Sequence, residues 1–210
     1  MNKYIDKFLL HGLALTLSLL SVFAIFKFHD YMDNYEIGIL VGATILFSWL
    51  GKTWLNFGRF FIASLILSFI SIYIYQGNLM QAENNFFLKY FLSSQSAIMW
   101  MSALFPLSLI IYWISLFSKQ TFYENLASAL VWIAALMGLL GLLVRWFESY
   151  LISIDIGHIP ISNLYEVFVL FCLITSLMYL YYEQKMNTKK MGPFVLIIIS
   201  AAEMAMQRIL

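Results

Sequence analysis

The sequence predicts an all-α fold, a polytopic transmembrane bundle of about seven helices with its N-terminus in the cytoplasm. Three observations carry this. Charged residues make up 11% of the chain and hydrophobic residues 62%, with a mean hydropathy of +0.84. A soluble domain carries about 25% charged residues, so these few cannot cover a water-exposed surface of 210 residues. Seven apolar runs reach or approach the length of about 20 residues that a spanning helix needs. The runs are continuous rather than alternating, and lipid admits only helices or closed barrels, so they read as helices.

In order, the runs cover residues 8–28, 37–55, 60–75, 97–117, 126–144, 164–182 and 193–207. The first is too long for the apolar core of a secretory signal and reads as an uncleaved signal anchor. The second holds Lys52 near its end, where the side chain can snorkel to the headgroups. It also carries Gly38 and Gly42, a small-xxx-small pair that favours close helix packing. The third and seventh runs are short. Residues 77–96 hold Phe86, Phe87, Leu88, Tyr90, Phe91 and Leu92 with Glu83 and Lys89, and are expected to lie in the membrane interface as an amphipathic stretch. A second long connection is expected at 145–163.

Positive charge sets the orientation. With the N-terminus inside, Lys3, Lys7, Lys52, Arg59, Lys119, Lys185, Lys189 and Lys190 lie inside, and Lys27, Lys89, Arg145 and Arg208 outside. Acidic residues fall mostly outside, among them Asp30, Asp33, Glu36, Glu83, Glu148 and Asp155. Tyr73, Tyr75, Trp113, Trp146, Tyr179, Tyr181 and Tyr182 crowd segment ends, where an interfacial aromatic belt belongs.

Several functions are excluded. A net charge of +1 gives nucleic-acid binding no electrostatic support. The single cysteine, Cys172, lies in an apolar run and reads as a small buried hydrophobe. One cysteine rules out an intrachain disulfide, a CxxC redox pair and a CxxCH haem-attachment site. No phosphate-binding glycine loop, HExxH or Ser/His/Asp arrangement is present.

The candidate chemistry gathers in the connection before the sixth run. Gly157 and Pro160 fix a turn. Ser162 or Asn163 can cap the following helix by accepting its free N–H groups. Glu166 falls in that helix's first turn, where a carboxylate suits the dipole, and Arg145 is its expected partner. His158 could ligate haem iron or hydrogen-bond a propionate, or it could simply anchor the turn. His11, one turn into the first run, is a possible transmembrane haem ligand, or a hydrated residue near the interface. His29 lies in a hydrophilic connection. Glu203 sits inside the last run with no visible partner, so it is paired, protonated, or in a segment that does not span.

Read whole, Arg145-Trp146 followed by Gly157-His158-x-Pro160-x-Ser162-Asn163-x-Tyr165-Glu166 resembles the cytochrome c assembly family, in its Ccs-type branch of the system II maturation pathway. The string from Tyr75-Gln76-Gly77 through Phe87-Leu88-Lys89-Tyr90-Phe91-Leu92-Ser93-Ser94-Gln95-Ser96-Ala97-Ile98 is similar to the N-terminal extension of bacterial members. The resemblance spans roughly residues 52–195. It implies a protein of the bacterial inner membrane, with 157–166 on the periplasmic side. Such a protein moves haem b across or along the membrane. It presents haem where a Ccs-type synthetase partner attaches it to CxxCH thiols of apocytochrome c.

The resemblance also implies a division into an N-terminal transmembrane extension, 1–96, and the start of the assembly domain, 97–210. The family's tryptophan-rich haem loop is missing, because Trp49, Trp54, Trp100, Trp113, Trp132 and Trp146 are scattered. The flanking ligand histidines would lie beyond residue 210. The chain is therefore expected to correspond to an N-terminal half, from a truncated frame or a split protein, with a tryptophan-rich half or subunit as partner. His158, Arg145, Trp146 and Glu166 would then support the haem site without axial ligation. The alternatives are a membrane subunit of a respiratory or quinone-linked complex, and a small-solute permease, for which Glu203 is the one candidate midplane charge.

Overall fold

The computed structural model describes residues 3–28, 34–118, 120–153, 159 and 161–207. Eight α-helices run α1 (Lys3–Phe28), α2 (Asn34–Thr53), α3 (Leu55–Tyr75), α4 (Gln81–Asn84), α5 (Ser94–Ser118), α6 (Thr121–Ile152), α7 (Leu164–Met186) and α8 (Gly192–Gln207). A π-helical turn, Leu88–Leu92, lies between α4 and α5. No strand occurs among the described residues. Two compact units divide the chain, Met1–Ala63 and Ser64–Leu210.

Four helices are long and apolar enough to cross a membrane: α3, α5, α6 and α7. The apolar stretches of the others are shorter: Gly12–Lys27 in α1, Ile37–Thr53 in α2 and Gly192–Ala205 in α8. The expectation of about seven spans thus meets the length criterion at four among the described residues. Those stretches are counted within the described residues, and α1, α2 and α8 are themselves 26, 20 and 16 residues long.

In the first unit α1 packs on α2. Gly51 makes room for Leu13, whose Cδ2 would stand 3.0 Å from a Cβ there. Phe47 stacks on Phe61 with ring centroids 4.9 Å apart, and Phe57 and Phe60 are buried beside it. The Gly38 and Gly42 positions, by contrast, have nothing within 4 Å of a built Cβ, so the expected close packing is not made there.

The second unit is built on the antiparallel pair α5–α6, with α7 against α6 and α8 against both α5 and α7. Its close contacts come from a different pair of glycines. A Cβ on Gly138 would lie 2.6 Å from Met101 Sδ, and one on Gly141 would lie 2.6 Å from Ile98 Cγ1. Small residues let two backbones approach in lipid, where packing rather than the hydrophobic effect drives helix association. Ser108 Oγ adds a crosslink by donating to Ala127 O at 2.8 Å.

Helix ends follow local rules. Gln76 and Gly77, both at positive φ, stop α3. Asn187 takes the left-handed conformation after α7, and Thr188 N–H donates back to Glu183 O at 3.2 Å. The connection expected to begin at Arg145 begins instead at Ser153, because α6 runs on to Ile152. No glycine or proline interrupts 145–152, and Phe147 and Leu151 pack on the core formed by Tyr75, Leu88 and Val144.

Candidate functional site

The end of the second unit where α6 finishes and α7 begins holds most of the expected site. Asn163 caps α7, its Oδ1 accepting from Glu166 N–H at 2.8 Å. Glu166 is buried and reaches back over the turn. Its Oε2 accepts from Ser162 N–H at 3.1 Å and from Ser162 Oγ–H at 3.2 Å. Its Oε1 faces Arg145 Nε at 3.6 Å. The arrangement resembles a capping box shifted back by one residue, since Glu166 accepts from Ser162 rather than from the cap Asn163, and an ion pair extends it. Arg145, Ser162, Asn163 and Glu166 thus form one clasp joining α7 to α6.

Trp146 is not part of the clasp; it is 40% exposed and its carbonyl accepts from Ser149 Oγ at 2.7 Å. Gly157, His158 and Pro160 lie outside the described residues. His11 belongs to α1, but its side chain lies outside the described set. Chemically, the clasp fixes a turn. Oε2 accepts two hydrogen bonds and Oε1 faces Arg145, so both oxygens serve the turn. Arg145 is different: its side chain is 43% exposed and only Nε faces Glu166. A guanidinium has five N–H donors in a planar fork suited to carboxylates. No group of three His, Cys, Asp or Glu that could hold a metal ion occurs among the described residues.

Sequence reasoning missed two buried carboxylate networks. Near the same end, Glu148 accepts from the Tyr75 hydroxyl, from Ser94 N–H at 3.0 Å and from the Ser94 hydroxyl. One carboxylate of α6 thereby ties the end of α3 to the start of α5. Near the opposite end, Glu183 accepts from Tyr112 at 2.8 Å, Tyr179 at 2.7 Å and Ser128 at 2.6 Å. Tyr179 also stands 2.9 Å from the Tyr112 hydroxyl. Gly192 makes room for the pair, since a Cβ there would lie 2.7 Å from the Tyr179 oxygen. Tyr75 and Tyr179 are therefore buried acid partners, not members of an interfacial belt. Tyr73, Tyr181 and Tyr182, by contrast, are exposed as the belt requires. The available signal was the pairing of Glu with Tyr near segment ends, which the belt pattern masked.

Glu203 is the exception among the buried acids. It is 2% exposed, and neither carboxylate oxygen has a hydrogen-bond partner among the described residues. Ser200, on the same buried stripe of α8 as Leu196 and Ile199, is likewise without a partner for its hydroxyl. Cys172 is buried beside this stripe, its thiol 3.9 Å from Ile199 O, as a packed small hydrophobe.

No known family, curated protein or solved structure matches the chain.

Proposed function

We propose that this chain is a haem-handling membrane factor in c-type cytochrome biogenesis. On this reading it lies in the bacterial inner membrane with its N-terminus cytoplasmic and the 157–166 turn periplasmic. It acts with a partner carrying the tryptophan-rich haem loop, with a Ccs-type synthetase, and on apocytochrome c. Haem b is its cargo.

The observation that supports this reading is the convergence of Arg145, Ser162, Asn163 and Glu166 on one clasp. These are positions of the string that resembles the cytochrome c assembly family, and their chemistry is mutually dependent. The clasp joins the start of α7 to α6 and leaves guanidinium donors of Arg145 able to meet a propionate. Glu166 acts as a structural acid here, and His158 as a neighbour of the haem path rather than its axial ligand.

The test is genetic and spectroscopic. Deleting the gene in its own host should abolish covalent haem attachment to c-type cytochromes, read by haem-stained gels. The complex purified from the membrane should show a haem Soret band. Normal c-type cytochromes in the deletion strain would overturn the reading. They would shift weight to a transport role, which the Glu203 carboxyl, without a hydrogen-bond partner among the described residues, favours.

A further inference from the structure

The segment between α3 and α5 is built as a rigid plate. Asn85 Oδ1 accepts from Phe87 N–H at 2.9 Å and starts the turn. Ser93 N–H then donates to Leu88 O at 3.0 Å and closes the π-helical turn. Leu88 and Leu92 point inward onto Tyr75, Ala97, Leu140 and Val144. Phe86, Phe87, Tyr90 and Phe91 all point outward and are exposed, Phe86 to 62%. The outward rings brace one another. Phe86 lies 5.0 Å from Tyr90, and Phe91 stacks on Trp100 at 5.8 Å with an interplanar angle of 5°. Trp100 Nε1 also donates to Tyr90 O at 2.7 Å.

Both ends of the plate are fastened to the same carboxylate. Glu148 accepts from Tyr75, the last residue of α3, and from Ser94, the first of α5. Ser71 Oγ adds a further tie by donating to Leu92 O at 2.8 Å. A segment that merely bridged two helices would need no such latch.

We propose that the Phe86–Phe91 face is a lipid-docking plate seated in the headgroup–acyl boundary of the bilayer, with Glu148 as the positioning residue that holds it there. The occupant follows from continuity. Phe91 stacks on exposed Trp100 of α5, and α3 and α5, the two helices of spanning length that the plate joins, also expose Ile70, Tyr73 and Met99. Four exposed aromatics on one face mark an interaction surface, while a connection that breaks helical pairing at Gln76–Gly77, Asn85 and Ser93 is disfavoured at mid-bilayer. Aromatic rings with polar tips prefer the boundary between water and the bilayer core. Lys89 lies over the Tyr90 ring at 5.8 Å, where its ammonium can reach lipid phosphates. This inference is independent of the haem reading.

The experiment places a spin label singly at Phe86→Cys, Phe87→Cys, Tyr90→Cys and Phe91→Cys in a Cys172→Ala background. The full chain is reconstituted in phosphatidylcholine–phosphatidylglycerol vesicles at high dilution. Collision with oxygen should exceed collision with a water-soluble nickel chelate several-fold at all four sites, at a depth just below the phosphates. Glu148→Leu should raise label mobility at Phe87→Cys, and the milder Tyr75→Phe, which removes one donor, should raise it less. Nickel-dominated collision would place the plate in water and overturn the proposal. Shielding from both reagents would mean a second copy or another protein covers it, and would also overturn it. Unchanged mobility in both latch variants would remove Glu148 from the positioning role.

Discussion

Glu183 and Glu203 make a matched pair of perturbations with opposite expected signs. Both are buried glutamates in apolar helices, 6% and 2% exposed. Glu183 accepts three hydroxyls, from Tyr112, Tyr179 and Ser128. Interhelical hydrogen bonds in membranes average about 0.6 kcal/mol, so those from Tyr112 and Ser128 supply about 1 kcal/mol, beside the bond from Tyr179 within α7. Glu183→Leu forfeits these, but the Tyr179 hydroxyl can still donate to Tyr112 at 2.9 Å. The expected net loss is about 1–2 kcal/mol. Glu203 has no such bonds to lose among the described residues. Removing a buried polar group that lacks a partner returns its desolvation cost, about 1–3 kcal/mol. Glu203→Leu, close in volume, is therefore expected to leave stability unchanged or raise it by up to that amount. The assay is reversible unfolding in mixed micelles against increasing sodium dodecyl sulfate, following tryptophan fluorescence. If Glu203→Leu lost as much stability as Glu183→Leu, Glu203 would have a donor partner after all and the contrast would be refuted.

The same titration checks two further orderings. Gly141→Ala should cost more than Gly138→Ala, about 1–3 kcal/mol against less than about 1. The new methyl at Gly141 meets Ile98 Cγ1 at 2.6 Å and the Ser94 backbone oxygen at 3.3 Å, whereas at Gly138 it meets the flexible end of Met101. Equal costs would show that the α5–α6 approach is not set at Gly141. Glu166→Ala should cost about 1–3 kcal/mol by removing the charged acceptor of the Ser162 N–H and hydroxyl, whereas Arg145→Met should cost no more than about 1, because the arginine is partly exposed and solvent screens the pair. The reverse order would mean that the ion pair, not the turn, is what Glu166 supplies.

What the sequence disclosed and what it hid differ in range along the chain. The clasp was legible because Ser162, Asn163 and Glu166 lie within five positions and follow local capping chemistry, with Arg145 at the edge of the preceding apolar run. The two carboxylate–tyrosine networks were not, because Tyr75 and Glu148 stand 73 residues apart and Tyr112 and Glu183 stand 71 apart. A tyrosine near a segment end reads the same whether its hydroxyl meets headgroups or a buried acid. Helix packing misled in the same way. Gly38 and Gly42 have the expected four-residue spacing yet face open space, while Gly138 and Gly141, three apart, carry the contact. Spacing marks a small face on a helix, but only the partner decides whether that face is used. The extent of α6 was hidden because a charged residue such as Arg145 ends a hydrophobic run without ending a helix.

The distribution of committed acids narrows where any chemistry can reside. Glu148 joins α3 to α5, Glu166 joins α7 to α6, and Glu183 joins α5, α6 and α7. Each accepts hydrogen bonds from its neighbours, and a carboxylate so held stabilises the bundle. Mutating any of them would disturb activity through the fold, so loss of function there cannot identify a site. Arg145 and Glu203 are the informative positions, one with outward donors at the end of α6 and one with unmatched acceptors inside α8. A charge-removing change at Glu203 leaves the three acid networks intact, and one at Arg145 removes only its partly exposed ion pair with Glu166, so a functional defect that appears without a stability defect would locate the chemistry.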